Sequence, residues 1–440
     1  CLLTVSYVSI NIDKLFSDQV MLSYISLAIF CTIVLSYKIG RISYFSFSFV
    51  FICLVYVFHL GYLLLTLAGR NELAQVNLGY YVSNRSSTYS SIFSLFSILG
   101  IFLGVLIAET FRHELVATAR QRVNDIKIFS RFRMVGLFLF AISFPLHFYE
   151  IVRKLQYYEA GGYVYTHEAH LNGVFAYLEK PYLFSILLIL VSYQGNKRKE
   201  FHLLAFGIII EILLMLSGNR FEPLIYIFTL VYFYYIVHGQ ERLSYRSVML
   251  LVIFGLLVMV LLVNIKILRA SGQSMVSSVG LQDLSTESLL LNIIGELGGT
   301  QITLATAFDY IPSVLPYNCG KTYIISLLSI IPAIDSLYKG FVDEVFFVYK
   351  WTGSLFHGFG GSVLAEVYYN FGWLGLAVFP VLGFLIQKLY DRTVDVSINA
   401  RYKEMIIGVL IFSYLLRWVR GYFYTGIFDL FWFSILIRFL

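Results

Sequence analysis

Long runs of apolar residues without Asp, Glu, Lys or Arg recur along the whole chain, and they constrain its fold more than any other feature. Runs such as 42–69, 86–108 and 247–265 each come close to or exceed the roughly 20 residues that cross the hydrocarbon core of a bilayer. Only 13% of the residues are charged, against about 25% in a soluble domain. Because the runs do not alternate polar and apolar residues, the sequence predicts an all-α polytopic membrane protein.

The apolar runs predict eleven complete transmembrane helices. Residues 1–10 resemble the tail of a further run that precedes Cys1, which would bring the total to about twelve. The predicted spans are 20–37, 43–69, 88–108, 134–152, 177–194, 201–217, 222–238, 247–268, 363–387, 404–418 and 422–439.

The loops between these spans form two alternating sets that differ in positive charge. One set, with the C-terminal tail, holds 18 Lys and Arg residues, and the other holds 9 when the long loop 269–362 is left aside. The positive-inside rule therefore places the first set and the C-terminus in the cytoplasm. This distribution explains the net charge of +6 without a nucleic-acid partner.

Two sizeable connections between spans lie on the predicted outer side, which suggests a site at that face. Within the longer one, residues 322–334 are apolar but too short to span, so they predict an interfacial or re-entrant helix. The predicted domains are an N-terminal transmembrane bundle, 1–268, with a periplasmic loop at 153–178; a long periplasmic loop with short helices, 269–362; and C-terminal transmembrane helices, 363–440.

Four arginines at the ends of apolar runs fall on this outer side, where positive charge is expected to be scarce. Arginine holds phosphate oxygens in a bidentate grip, and residues spaced i, i+3 share a helix face, as Arg417 and Arg420 do. The pattern predicts a diphosphate-binding site, and the alternative is a set of snorkelling anchors. The four residues are Arg220, Arg269, Arg417 and Arg420.

The segment 357–375, HGFGGSVLAEVYYNFGWLG, predicts a glycine loop that leads into a helix. Gly360 and Gly361 allow close approach of a ligand, and the helix N-terminus favours anions. Small-residue helix packing is the alternative role of these glycines. Glu366 has three open roles: orienting an acceptor hydroxyl, acting as a base, or pairing with an arginine. The predicted site face carries Ser362, Glu366, Tyr369 or Asn370, and Trp373.

Two outer-side histidines are further candidates. His357 precedes the glycine loop and is predicted to act as a general base on a sugar hydroxyl. His167 lies in HEAH, whose spacing matches no known zinc pattern, so it is predicted to contact substrate. Tyr158 is predicted to stack on a sugar, with a membrane-interface role as the alternative. The four cysteines show no metal or disulfide spacing, and we predict no metal site.

Several segments together resemble a known family. GFGGSVLAEVYYNFGWLG, CGKTYIISLLSIIPAI, SGNRFEP and RWVRGYFYTGI resemble Wzy-type O-antigen and oligosaccharide repeat-unit polymerases over roughly residues 205–430. The resemblance implies a GT-C-like glycosyltransferase of the bacterial inner membrane that needs no cofactor, nucleotide sugar or metal. Its substrates would be oligosaccharides linked to undecaprenyl diphosphate within the membrane lipids. A chain-length-regulating co-polymerase stays open as a partner.

The resemblance also assigns roles to residues. Arg220, Arg417 and Arg420 match the family's motif arginines, which are expected to hold the diphosphate, whereas Arg269 matches only by position. The helix motif contains Glu366 and, four residues on, Asn370. His357 has no counterpart in the family, so its role as base rests on chemistry alone.

Two alternatives to a polymerase remain. An O-antigen ligase would use the same donor and transfer the glycan to lipid A core, and His357 suits it. A lipid-linked oligosaccharide flippase or other transporter would explain Glu211, an acid in the middle of a predicted span, and Asp429 in the last span. The long outer loop and the absence of an internal sequence repeat favour the enzyme.

Overall fold

A computed structural model describes residues 19–74, 78–111, 126–161, 163–193, 196–219, 221–238, 286–352, 360–398 and 402–440. Within these ranges the chain forms helices and no strand, so the predicted all-α class is confirmed. The α-helices, numbered along the chain, are α1 Gln19–Ile39, α2 Phe47–Leu67, α3 Leu78–Tyr81, α4 Asn84–Thr110, α5 Ile126–Gly161, α6 Val174–Glu179, α7 Tyr182–Ser192, α8 Lys197–Met215, α9 Phe221–His238, α10 Thr286–Leu297, α11 Gln301–Tyr310, α12 Lys321–Leu327, α13 Ile334–Leu337, α14 Phe341–Val345, α15 Val348–Thr352, α16 Val363–Phe371, α17 Val378–Ile398, α18 Tyr402–Val419 and α19 Ile427–Phe439.

Six helical segments of the described chain are long and apolar enough to cross a membrane, and each overlaps a predicted span. They confirm a multi-pass membrane protein. Four other predicted spans correspond to α8, α9, α18 and α19, which are helical but shorter or more charged. The predicted span 247–268 lies outside the described residues. The six segments are Gln19–Ile39, Phe47–Leu67, Asn84–Thr110, Ile128–Ala160, Val174–Ser192 and Val363–Val394.

The chain divides into two compact units, each built from separated stretches. The first unit comprises Cys1–Glu114, Leu290–Asp391 and Leu415–Ile427. The second comprises Leu115–Leu289, Arg392–Tyr414 and Phe428–Leu440. The three-part division of the sequence at 268 and 362 stays a prediction.

Helices of the first unit pack closely through glycine. A Cβ atom on Gly104 of α4 would lie 1.9 Å from the carbonyl oxygen of Pro380 in α17. One on Gly383 of α17 would lie 2.0 Å from the carbonyl oxygen of Ile101. Backbones can approach this closely only where no side chain intervenes, as in other membrane helix pairs.

Helices α10 and α11 lie in the segment predicted as the long loop, and α11 packs against α4. Gln301 donates from Nε2 to the Ser91 hydroxyl at 2.7 Å. Asp309 accepts hydrogen bonds from the hydroxyls of Ser86 at 2.6 Å and Ser83 at 2.8 Å. This polar contact fixes α11, which lies within the predicted loop, on α4.

The predicted span 363–387 is broken in the structure. Helix α16 ends at Phe371, a 3-10 segment covers Gly372–Ala377, and α17 begins at Val378. Gly372 has φ +58°, and a Cβ atom there would lie 2.8 Å from the ring of Tyr317. Glycine is therefore required at the position that ends α16.

The second unit is centred on α7, whose residues are all buried. Its Ile189 side chain would lie 2.8 Å from a Cβ atom on Gly136 of α5. Phe184 of α7 stacks on Phe433 of α19 with ring centroids 4.7 Å apart. The unit also contains α6, α8 and α9.

Candidate functional site

The glycine loop before α16 touches the turn that follows α18. A Cβ atom on Gly360 would lie 3.2 Å from the carbonyl oxygen of Arg420, and one on Gly361 would lie 2.5 Å from the backbone of Gly421. The Thr303 hydroxyl of α11 donates to the carbonyl of Gly360 at 2.9 Å. The predicted glycine loop and one predicted arginine are therefore brought together in the first unit.

Arg417 lies in the last turn of α18, whereas Arg420 lies one residue beyond the end of that helix. The helix face that the i, i+3 spacing predicts for the pair is thus interrupted by the helix end. The Arg420 guanidinium carbon lies 5.9 Å from the ring centroid of Phe58 in α2, near the outer limit of a cation–π contact. Both arginine side chains are partly exposed.

Glu366 of α16 is 1% exposed and accepts hydrogen bonds from both sides of Arg420. The indole Nε1 of Trp418 donates to its Oε2 at 3.0 Å, and the backbone N–H of Phe423 donates to the same oxygen at 2.8 Å. The Thr322 hydroxyl is a further hydrogen-bond partner. Glu366 therefore joins α16 to the turn that carries Arg420, which is a positioning contact.

Asn370, one helical turn after Glu366, joins the end of α16 to the start of α12. Its Nδ2 donates to the Thr322 hydroxyl and to the Glu366 carbonyl, both at 2.8 Å. Its Oδ1 accepts from the N–H of Gly320 at 2.9 Å. Since both ends of this buried amide bind within the protein, the structure gives Asn370 a structural task.

Tyr369 is 5% exposed, and its ring is covered by aromatic neighbours. Its ring centroid lies 5.4 Å from that of Phe347 and 5.2 Å from that of Trp351, the latter in an edge-to-face arrangement. Phe347 in turn packs edge-to-face on Tyr422 at 5.1 Å. This aromatic cluster supports the turn after α18 from a second direction.

His59 and Ser362 form a buried pair that the sequence analysis did not identify. His59 Nε2 lies 2.6 Å from the Ser362 hydroxyl, and Nδ1 lies 3.1 Å from the carbonyl of Val55. A carbonyl only accepts, so Nδ1 carries the proton, and Nε2 of the neutral ring accepts from Ser362. Ser362 also caps α16 by accepting from the N–H of Ala365 at 3.2 Å. The pair thereby fixes the exit of the glycine loop.

An ion cluster lies beside the site, between α12, α14 and α15. Glu344 accepts from Nζ of Lys350 at 2.8 Å and from Nζ of Lys321 at 2.9 Å. Partial burial raises the pKa of Glu344, but the two lysines outweigh it and hold that pKa below its ordinary value of 4.5. The carboxylate therefore stays ionised and holds α12 to α15 at neutral pH.

The remaining predicted residues lie elsewhere. Tyr158 is a buried residue of α5, and His167 lies in the 3-10 turn Tyr163–Ala169, both in the second unit. Arg220, Arg269 and His357 lie outside the described residues. The structure thus gathers seven predicted residues in the first unit: Gly360, Gly361, Glu366, Tyr369, Asn370, Arg417 and Arg420.

Comparison with known proteins identifies the family of this chain. The sequence model for the family described as O-antigen polysaccharide polymerase Wzy matches residues 1–440. No curated protein and no solved structure matches the chain. Because the match extends over the full sequence, this chain belongs to the Wzy family of O-antigen polysaccharide polymerases.

Proposed function

We propose that this polymerase joins oligosaccharide repeat units carried on undecaprenyl diphosphate, at the periplasmic face of the inner membrane. Family membership supports repeat-unit polymerisation in general. The observation that carries the specific chemistry is the turn after α18. Glu366 and the glycine loop hold that turn in place; Arg420 lies in the turn, and Arg417 lies in the last turn of α18 before it.

In the proposed reaction, the non-reducing-end hydroxyl of a new lipid-linked unit attacks the anomeric carbon of the growing glycan. The bond from that carbon to the diphosphate oxygen breaks, and undecaprenyl diphosphate leaves. The hydroxyl proton passes to a base, for which His357 is our candidate. Arg417 and Arg420, with Arg220 and Arg269, stabilise the charge that develops on the leaving diphosphate.

The surrounding residues support this reaction by holding the arginines still. An arginine on a free turn would lose side-chain and backbone entropy when it grips a diphosphate. The two hydrogen bonds to Glu366 and the backbone contact at Gly361 remove much of that backbone freedom beforehand. We assign Glu366 a positioning role and keep Tyr158 and His167 as candidates for glycan contact.

The test is an assay of the purified chain with an undecaprenyl-diphosphate-linked repeat unit and no added nucleotide or metal. We expect a ladder of polymer on a gel. Arg417→Ala and Arg420→Ala should each lower the rate by about 10²–10³-fold, as loss of one transition-state donor does elsewhere. Arg420→Lys should recover part of the rate, because it keeps the charge but not the bidentate geometry.

Arg438→Ala is the matched control, since Arg438 lies in the last turn of α19, outside the proposed site. It should leave the ladder unchanged. Transfer to lipid A core in place of a ladder would establish a ligase. Movement of the lipid-linked unit across proteoliposomes without transfer would establish a transporter.

A further inference from the structure

His147 of α5 lies buried between two carboxylates of the second unit. Its Nδ1 lies 2.6 Å from Oε1 of Glu179 in α6. Its Nε2 lies 3.3 Å from Oε1 of Glu211 in α8, within ion-pair distance but without the alignment of a hydrogen bond. One imidazole thus connects three helices through two acids, and the repeat-unit chemistry proposed above uses none of them.

Glu211 is fully buried, and several buried polar atoms of this unit have no well-aligned hydrogen bond among the described residues. These atoms are both carboxylate oxygens of Glu211, His147 Nε2 and the hydroxyls of Tyr182 and Ser143. The Tyr182 ring stacks on the His147 ring at 4.1 Å. Buried polar groups normally have well-aligned partners, so this cluster needs an explanation.

The exposed fraction of the side chain decreases from Glu179 to His147 to Glu211. The Glu179 side chain is 17% exposed, that of His147 is 5% exposed, and that of Glu211 is 0% exposed. Glu179 is therefore partly exposed, and among the described residues His147 connects it to the buried Glu211. Chains of Glu and His at this depth in membrane proteins serve as proton relays.

The charges facing this path favour a mobile proton. Glu222 and Glu179 both interact electrostatically with Glu211, and Lys154 interacts with Glu179 and Glu222. Lys154 is already engaged by Glu150 at 2.7 Å. One imidazolium cannot neutralise all of the remaining carboxylates, and an unpaired buried charge is costly. A proton held by Glu211 removes that cost.

We propose that His147 and Glu211 form a buried proton-exchange site that is loaded from solvent through Glu179. A proton from solvent reaches Glu179 and passes to Nδ1 of His147. The imidazolium gives its Nε2 proton to Glu211, which leaves a neutral imidazole beside a carboxylic acid. The reverse steps return the proton, so the cycle needs no co-reactant. Because this ion pair is one of the contacts between α5 and α8, protonation of Glu211 weakens that contact.

The test is infrared spectroscopy of the full chain in nanodiscs, which detects the carbonyl band of a protonated carboxylic acid. We expect a band that titrates with pH in the wild type and is absent in Glu211→Gln. Glu200→Gln is the matched control, because Glu200 is a buried acid of the same helix. A band that persists in Glu211→Gln, or that does not titrate, would overturn the proposal.

Two further variants test the path. His147→Gln should move the titration midpoint by about one pH unit or more, as loss of a neighbouring charge does. Glu179→Gln should slow the hydrogen–deuterium exchange of the band. An unchanged midpoint or an unchanged exchange rate would refute the relay. Since the readout is spectroscopic, the outcome is independent of whether the same sample makes polymer.

Discussion

Replacement of Glu366 separates a positioning role from a catalytic one. Both donors, Trp418 Nε1 and Phe423 N, reach the same carboxylate oxygen, Oε2. Glu366→Gln can present its amide oxygen at that position and keep both hydrogen bonds. Its amide nitrogen then takes the place of the other oxygen, and the Thr322 hydroxyl has a second lone pair with which to accept from it.

The expected costs follow from these contacts. A hydrogen bond to a charged group contributes about 1.5–3 kcal/mol and a neutral one about 1 kcal/mol, so Glu366→Gln should destabilise the fold by about 1–4 kcal/mol over two bonds. Glu366→Ala leaves two buried donors unpaired, at about 1–3 kcal/mol each, and removes packing as well. If Glu366 only positions the turn, Glu366→Gln should keep polymerase activity within about tenfold of the wild type. Replacement of a general base would instead lower the rate by about 10²–10⁴-fold.

The assay is polymer formation from the lipid-linked repeat unit, measured across pH, with thermal unfolding of the same samples. A general base would lose about 10²–10⁴-fold in rate on Glu366→Gln and would lose its limb of the pH–rate profile. Such a loss in a protein that unfolds cooperatively would refute the positioning role. Full activity of Glu366→Ala would refute it as well, because the turn would then need no carboxylate.

Three further predictions concern the same unit. Gly361→Ala brings a Cβ atom within 2.5 Å of the Gly421 backbone and should cost about 1–3 kcal/mol, seen as a lower unfolding temperature and less polymer; unchanged values would contradict the close approach. Ser362→Ala leaves a buried imidazole nitrogen of His59 unpaired and should lower the free energy of unfolding, measured with denaturant, by about 1–3 kcal/mol. An unchanged free energy of unfolding would contradict the hydrogen bond between His59 and Ser362. The pKa of Glu344 is lower in the folded protein than in the unfolded one. The stability that its ion pairs contribute is therefore complete above the pKa of the unfolded state and is lost as pH falls through the pKa of the folded state. The acid side of the unfolding-temperature profile should therefore flatten in Glu344→Gln, and equal slopes would refute the ion cluster.

Apolar runs made most helices predictable, because the hydrocarbon core demands a minimum length that the sequence displays directly. The break at Gly372 was not predictable in the same way. Residues 363–387 contain a single acid and read as one continuous span, and only the positive φ of Gly372, +58°, shows where the helix ends. The contact between the long loop and α4 was not predictable either, because Gln301 and Asp309 bind serines of α4. These serines lie in a strongly apolar helix, where the sequence gives no sign that they bind polar side chains.

The sequence predicts residue types for a candidate site, but it does not show the partners of those residues. Arginine beside glycine on one predicted side of a membrane indicates anion chemistry without any knowledge of contacts. The link between Glu366 and Trp418 joins residues 52 positions apart, and the link between His59 and Ser362 joins residues 303 apart. No local pattern carries such pairs. His59 in particular lies in an apolar run where a lone histidine gives no sign of its partner.

The buried acids Glu366 and Glu211 show how different surroundings give the same residue type different roles. Both fixed donors to Glu366 reach Oε2, so any side chain that keeps an acceptor oxygen there, charged or neutral, retains the contacts that hold the Arg420 turn. Glu211 lies 3.3 Å from Nε2 of the His147 imidazole, so transfer of a proton from the imidazolium to Glu211 converts an ion pair into a neutral pair. The positioning role proposed for Glu366 in the first unit therefore requires no change of charge, whereas the role proposed for Glu211 in the second unit does. Glutamine should accordingly be tolerated at 366 and should abolish the titrating band at 211.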